Sequence, residues 1–190
     1  MGLCLAQDAA ADKLLSEDAF ALLIGMVLDQ QVPLEKAFMG PYVLRERLGR
    51  EVTPAGIAEM DTEELVSVFS TPPALHRFPG SMAQRVQALA HALVDGYGGS
   101  AAAVWEDAAS GRELLGRIKK LPGFGEQKAQ IFLALLGKQL DVRPEGWREA
   151  AGQFGADGSR KSVADITDTA SLQEVRQFKK DMKAAAKTRR

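Results

Sequence analysis

The sequence predicts an all-α protein, and three observations carry that expectation. Ala and Leu are abundant while β-branched runs are rare, a composition that favours helix over sheet. Apolar residues recur three and four positions apart along most of the chain, the spacing of one helix face. Gly/Pro breaks and helix-start signals then divide the 190 residues into about nine or ten helical segments, with no convincing strand pair. That length suffices for one well-buried domain, or for two small lobes sharing a core.

Taken in order, Phe20, Leu23, Ile24, Val27 and Leu28 form the apolar face of an early helix. Breaks follow at Gly40-Pro41, Pro72-Pro73, Pro79-Gly80, Gly98-Gly99, Pro122-Gly123 and Pro144. Thr53-Pro54 places a capping side chain before Pro at the first helical position. Ser81–Gln84, Ser110–Glu113 and Ser171–Glu174 read as capping boxes, and Asp61–Glu64 is the Asp version. Leu114, Leu115, Ile118 and Leu121 make another face, followed by Phe132, Leu133 and Leu136. Leu172, Val175, Phe178 and Met182 close the chain. Residues 157–168 are the most polar and loop-like stretch, and no internal repeat is present.

Charge and cysteine usage narrow the function classes. The net charge is −1, so a polyanionic partner must be held by a local patch. Cys4 is the single cysteine, which excludes an internal disulfide, an iron–sulfur cluster and a Cys4 zinc site. With His76 and His91 as the two histidines, no metal cluster is expected, and no cofactor. The longest apolar stretch, Ala19 to Leu28, is far short of the ~20 residues of a membrane span. The N-terminus lacks a basic region followed by an apolar core. A soluble, cytoplasmic monomer is the expectation. His76 reads as a surface loop histidine, and Trp105 and Trp147 as packing residues.

The informative segment is Leu121-Pro-Gly-Phe-Gly125. A helix from about Arg112 to Lys120 precedes it and one from about Glu126 to Lys138 follows. Pro122 ends the first helix, having no N–H to donate. Gly123 and Gly125 permit positive φ and remove side chains that would block close approach. The second helix then opens on unpaired amides, which form an anion site for which phosphate is the natural guest. Arg117, Lys119, Lys120 and Lys128 surround the turn and make it locally basic. A plain αα-hairpin is the alternative, but the Leu-Pro-Gly-x-Gly pattern with clustered base favours a grip on DNA phosphate through Leu121, Gly123, Phe124, Gly125, Gln127 and Lys128.

Residues 112–137 resemble the hairpin of the helix-hairpin-helix (HhH-GPD) DNA glycosylase superfamily. Leu22–Gln31 resembles its early helix, which ends in a Gln near the DNA. Phe78–Leu89 resembles a segment where a loop leads into a helix. The resemblance covers about residues 17–150. More closely, the phrases DQQVPLEKAF, PALHRFPGSMA, LPGFGEQKA and VRPEGWREAAG are similar to actinobacterial HhH-GPD-type base-excision repair proteins.

That resemblance implies a two-lobed helical fold with a central cleft. Residues 17–138 would form a six-helix lobe, and residues 1–16 with 139–190 a second. It implies that a damaged nucleotide is flipped from duplex DNA and its N-glycosidic bond hydrolysed. Enzymes of the superfamily that also nick the strand carry a Lys two residues after the last hairpin Gly. Here that position is Gln127, with Lys128 next to it, so no efficient lyase activity is expected and Lys128 reads as a phosphate contact or solvated charge. The superfamily's catalytic Asp follows the hairpin by about two dozen residues. Gly146 falls there, with Glu145 beside it and Asp141 earlier. Glu145 and Asp141 are the candidate acids, with Asp29 and Asp165 behind them. Gln31 is expected to act at the DNA, filling the stack or meeting the orphan base, the alternative being a plain polar helix end. Arg77, Phe78 and Arg85 are candidates to clamp phosphates or wedge the strand. From Glu174 to Arg190 there are seven basic residues against two acids, a segment that reads equally as a non-specific DNA contact or a frayed terminus. Two functions follow: a monofunctional DNA glycosylase, or a protein that binds damaged duplex without turnover. A third, a protein-interaction domain, would use the hairpin for packing alone.

Overall fold

The computed structural model describes residues 2–188, so Arg189 and Arg190 of the basic tail lie outside the described residues. Among the described residues ten α-helices follow one another: α1 (Ala9–Glu17), α2 (Ala19–Leu28), α3 (Leu34–Leu48), α4 (Pro54–Ala58), α5 (Thr62–Ser70), α6 (Pro79–Tyr97), α7 (Gly111–Lys119), α8 (Glu126–Gln139), α9 (Trp147–Ala150) and α10 (Thr169–Thr188). Short 3-10 turns occupy Ala102–Val104, Gly152–Phe154 and Val163–Asp165. No strand is present among the described residues, so the fold is all-α.

Helix α2 is buried along nearly its whole length. Every residue from Phe20 to Leu28 is buried, as expected for a helix apolar all round. It packs against α3 and α6, while α4 and α5 pack on α6 and α7 packs on α8. The core is continuous from Leu3 to Val175.

The caps divide into those read correctly and those displaced. Thr53 accepts from the Gly56 amide with Pro54 at the first turn, and Asp61 accepts from Glu64. Ser110 accepts from the Glu113 amide at 3.2 Å, but the Glu113 carboxylate reaches Ala109 N rather than Ser110 N. Ser81 is not a cap. Pro79, with its fixed φ and missing N–H, suits the first turn better, so α6 starts three residues earlier than a Ser81 cap would place it. Ser171 lies inside the first turn of α10, where the Asp168 carboxylate accepts from its amide at 2.7 Å. The segment 157–168 also departs from expectation, because Ser162–Ile166 is buried. The side chains of Ser162 and Asp165 in that buried stretch are satisfied internally. Ser162 and Asp165 form a reciprocal capping box, and Gln139 Nε2 donates to the Ala164 and Ile166 carbonyls at 2.8 and 3.1 Å.

Trp147 is buried at 7% exposure, packing across Gly137 of α8 with the Arg148 guanidinium 4.5 Å from its ring. Trp105 stands edge-on to Phe132 at 5.6 Å. Both are packing residues.

Candidate nucleic-acid interface

Helices α7 and α8 form the hairpin. Leu121 and Phe124 are buried beneath the turn, the Phe124 ring 5.8 Å from that of Phe132. The Phe124 amide donates to the Leu121 carbonyl at 3.1 Å. Of the interface residues expected from sequence, these two therefore offer only backbone to a ligand. Gly123 stands at φ +90°, and a Cβ there would come within 3.1 Å of Arg85 Cδ and 3.2 Å of Val27 Cγ2. Only glycine meets both demands without strain. Gly125 precedes α8 with no side-chain cap, and Gly125, Glu126 and Gln127 are exposed. The first-turn amides of α8 are thus left for an incoming acceptor.

The basic cluster around the turn is mostly tied to internal partners, a correction to the sequence reading. Arg117 is paired with Asp107 at 2.6 Å and Glu113 at 2.5 Å, on the side of α7 that carries the 3-10 turn. Lys119 is paired with Glu126. Lys128 is neither solvated nor free for phosphate. Its Nζ turns inward and donates to the carbonyl of Met26 at 2.7 Å and of Val27 at 3.4 Å, closing the C-terminus of α2. Burial pushes its pKa down, against the pull of Asp29. Lys120 is alone of the four in having neither an ion pair nor a side-chain hydrogen bond among the described residues.

The end of α2 supplies the next wall. Asp29 terminates the helix and is half-buried. Burial raises its pKa, with Lys179 and Lys128 opposing that shift. Gln30 Nε2 donates to Val27 O at 2.8 Å, and Gln30 Oε1 faces Arg85 at 3.4 Å. Gln31 is exposed at φ +57°, a conformation uncommon for a non-glycine residue. His76 holds this loop. It is 1% exposed, not a surface histidine. Its Nε2 bonds the Gln30 carbonyl at 2.8 Å, and its Nδ1 accepts from Phe78 N at 3.0 Å. Those partners require the neutral ring with its proton on Nε2. Burial lowers its pKa accordingly. Phe78 is 43% exposed beside His76, with the exposed Arg77 guanidinium 5.4 Å from its ring.

A groove of about 940 Å³ opens between residues 29–35 and α10. Asp29, Gln30 and Gln31 line one side; Arg176, Lys179, Lys180, Lys183 and Lys187 line the other. The candidate acids are elsewhere. Asp141 is exposed at 84% and paired with Arg143 at 3.2 Å. Glu145 is exposed, and its backbone carbonyl accepts from Gly111 N at 2.7 Å, at the end of α7 opposite the hairpin turn. Neither lines the groove. Asp165 is committed to the capping box and to Lys138.

The model of the HhH-GPD superfamily base excision DNA repair proteins matches residues 24–190. The chain belongs to that superfamily. No curated protein and no solved structure matches it. Membership brings base excision repair and DNA as the partner. In this HhH-GPD protein the hairpin is built as its sequence motif implies, and Gln127 is exposed in the first turn of α8. Among the described residues no group of His, Cys, Asp and Glu is disposed to hold a metal, and no helix is long and apolar enough to cross a membrane. Sequence reasoning left the basic segment of α10 open between a DNA contact and a frayed end, without placing it at a groove wall, and missed the anchoring role of His76. The first was legible as a helical spacing of base; the second carries no local signal.

Proposed function

We propose that this protein is a monofunctional DNA glycosylase that excises a damaged base from duplex DNA, with Asp29 as the carboxylate of its cleft. In this reading the groove separates a lobe of residues 17–138 from one formed by 1–16 and 139–190. The observation that carries it is a half-buried carboxylate on the groove wall, beside the helix end against which the hairpin turn packs. Hydrolysis needs a base to take a proton from water as the glycosidic bond breaks, its electron pair leaving with the damaged base. Burial makes Asp29 a stronger base than an exposed carboxylate, and Lys128 and Lys179 oppose that shift and favour its ionised form. The Lys128 amine is tied to two carbonyls and Gln127 has no amine, which supports hydrolysis without strand nicking.

The test is single-turnover base release from a panel of lesion duplexes, with the released base detected by mass. Wild type should leave an abasic site that breaks only on heat or alkali. Asp29→Asn should lower the rate by roughly 10²–10⁴ at unchanged DNA affinity, whereas Glu145→Gln and Asp141→Asn should not. A second reading, binding without turnover, is favoured by Gly146 at the acid position and by the placement of Glu145 and Asp141 outside the groove. Tight binding of wild type to abasic duplex with no release across the panel would establish that reading instead.

A further inference from the structure

Helix α10 has finished its packing by its seventh residue. Ser171, Leu172 and Val175 are its buried residues, and beyond them only Phe178 is partly covered. Met182 is 56% exposed. Yet the helix continues to Thr188. At about 100° per residue, Arg176, Lys179, Lys180, Lys183 and Lys187 fall within an arc of about 100°. The helix's own acids, Glu174 and Asp181, fall on the other side, bonded to Arg160 and Gln177. Cations at three- and four-residue spacing repel one another and weaken a helix. A segregated row of this kind, doing no packing, is explained by a polyanion laid against it.

The row's surroundings say which polyanion. All five cations line the groove opposite residues 29–35. Arg176 is held by Glu35, while Lys180, Lys183 and Lys187 have no ion pair among the described residues. Lys179 lies close enough to Asp29 and Lys128 to act on the titration of both. Lys128 is in the first turn of α8, directly after the hairpin turn. The row is therefore continuous with the hairpin through the end of α2. From Arg176 to Lys187 it is about 16 Å long, the axial rise of four or five nucleotides of one strand of a duplex.

We propose that the lysine row of α10 is a second grip on the DNA backbone, holding a phosphate strand across the groove from Gln30 and Gln31. The hairpin contributes amides at one edge; α10 contributes charge at the other. This grip supplies affinity without sequence preference. It rests on the DNA-binding part of the proposed function and is independent of whether the base is removed.

The experiment uses the full chain with Lys179, Lys180, Lys183 and Lys187 all changed to Gln, and a second variant with all four changed to Arg. Affinity for a duplex containing an abasic-site analogue is measured from about 50 to 200 mM salt. Each phosphate contact contributes about 0.9 to the slope of log affinity against log salt. The Gln variant should lose roughly 2 to 4 from that slope and bind about tenfold or more weakly near 0.15 M salt; the Arg variant should keep both. A variant ending after Phe178 retains the buried Leu172 and Val175 and should behave as the Gln variant does. If wild type binds duplex and the Gln variant has the same slope, the proposal is overturned, including the case where the row instead binds anionic vesicles. If wild type does not bind duplex at all, the proposed function fails with it.

Discussion

Asp165 offers the sharpest check on the architecture that holds α10 in place. Its side chain is 2% exposed and accepts from Lys138 Nζ at 2.6 Å. The other oxygen accepts from the amides of Lys161 at 2.9 Å and Ser162 at 3.1 Å. Asp165→Ala strands the Lys138 ammonium, itself 14% exposed, and leaves two amides without their acceptor. Breaking a buried ion pair from one side costs about 3–5 kcal/mol. For a chain of this size each kcal/mol lowers Tm by about 2–4 °C, so the expected drop is roughly 6–20 °C. Asp165→Asn keeps one oxygen for the amides and should cost clearly less. Adding Lys138→Met to Asp165→Asn removes the stranded charge and should recover part of the loss. Thermal unfolding followed by circular dichroism at 222 nm reads all of these. A drop below about 2 °C for Asp165→Ala would refute the argument, since the pair would then be no better than a surface one.

Acid should loosen the loop that carries Gln30 and Gln31. The unfolded chain takes up a proton on His76 near pH 6.5, whereas the buried neutral ring resists it. Between the two pKa values the unfolded state binds more protons, so stability rises with pH and is lost as pH falls below about 6.5. Urea midpoints from pH 7.5 to 5 should therefore fall more steeply for wild type than for His76→Gln, and equal slopes would contradict the assignment. Gly137→Ala puts a methyl inside van der Waals contact of the Trp147 ring. It should cost about 1–3 kcal/mol of stability by overpacking, and an unchanged urea midpoint would show that Trp147 does not bear on α8.

What was legible in the sequence is what neighbours along the chain decide. Apolar spacing located α2, α7 and α8, because a helix face repeats every three to four residues whatever lies opposite it. Thr53, Asp61 and Ser110 were readable as caps because a cap's partner is two or three residues away. The Leu121–Gly125 turn was readable because Gly123 has no substitute at φ +90°. The same local logic failed where two signals competed within one turn: Pro79 displaced Ser81, and Asp168 displaced Ser171.

The interface itself was decided by tertiary structure. Whether a lysine faces solvent or a helix end depends on what packs beside it. Lys128 found the carbonyls of Met26 and Val27, about a hundred residues earlier. His76 is buried because Gln30 offers its carbonyl. Asp29 moves ahead of Glu145 and Asp141 among the candidate acids, because only the first lies on the groove wall. The basic tail reads from sequence as either a DNA contact or a loose end. Seating Leu172 and Val175 in the core aims its lysines across the groove at Gln30 and Gln31. Helices and turns are set by short-range sterics and hydrogen bonds, which a sequence displays. Burial, charge pairing and the convergence of distant side chains on one groove depend on contacts far apart in the chain, and those exist only once it has folded.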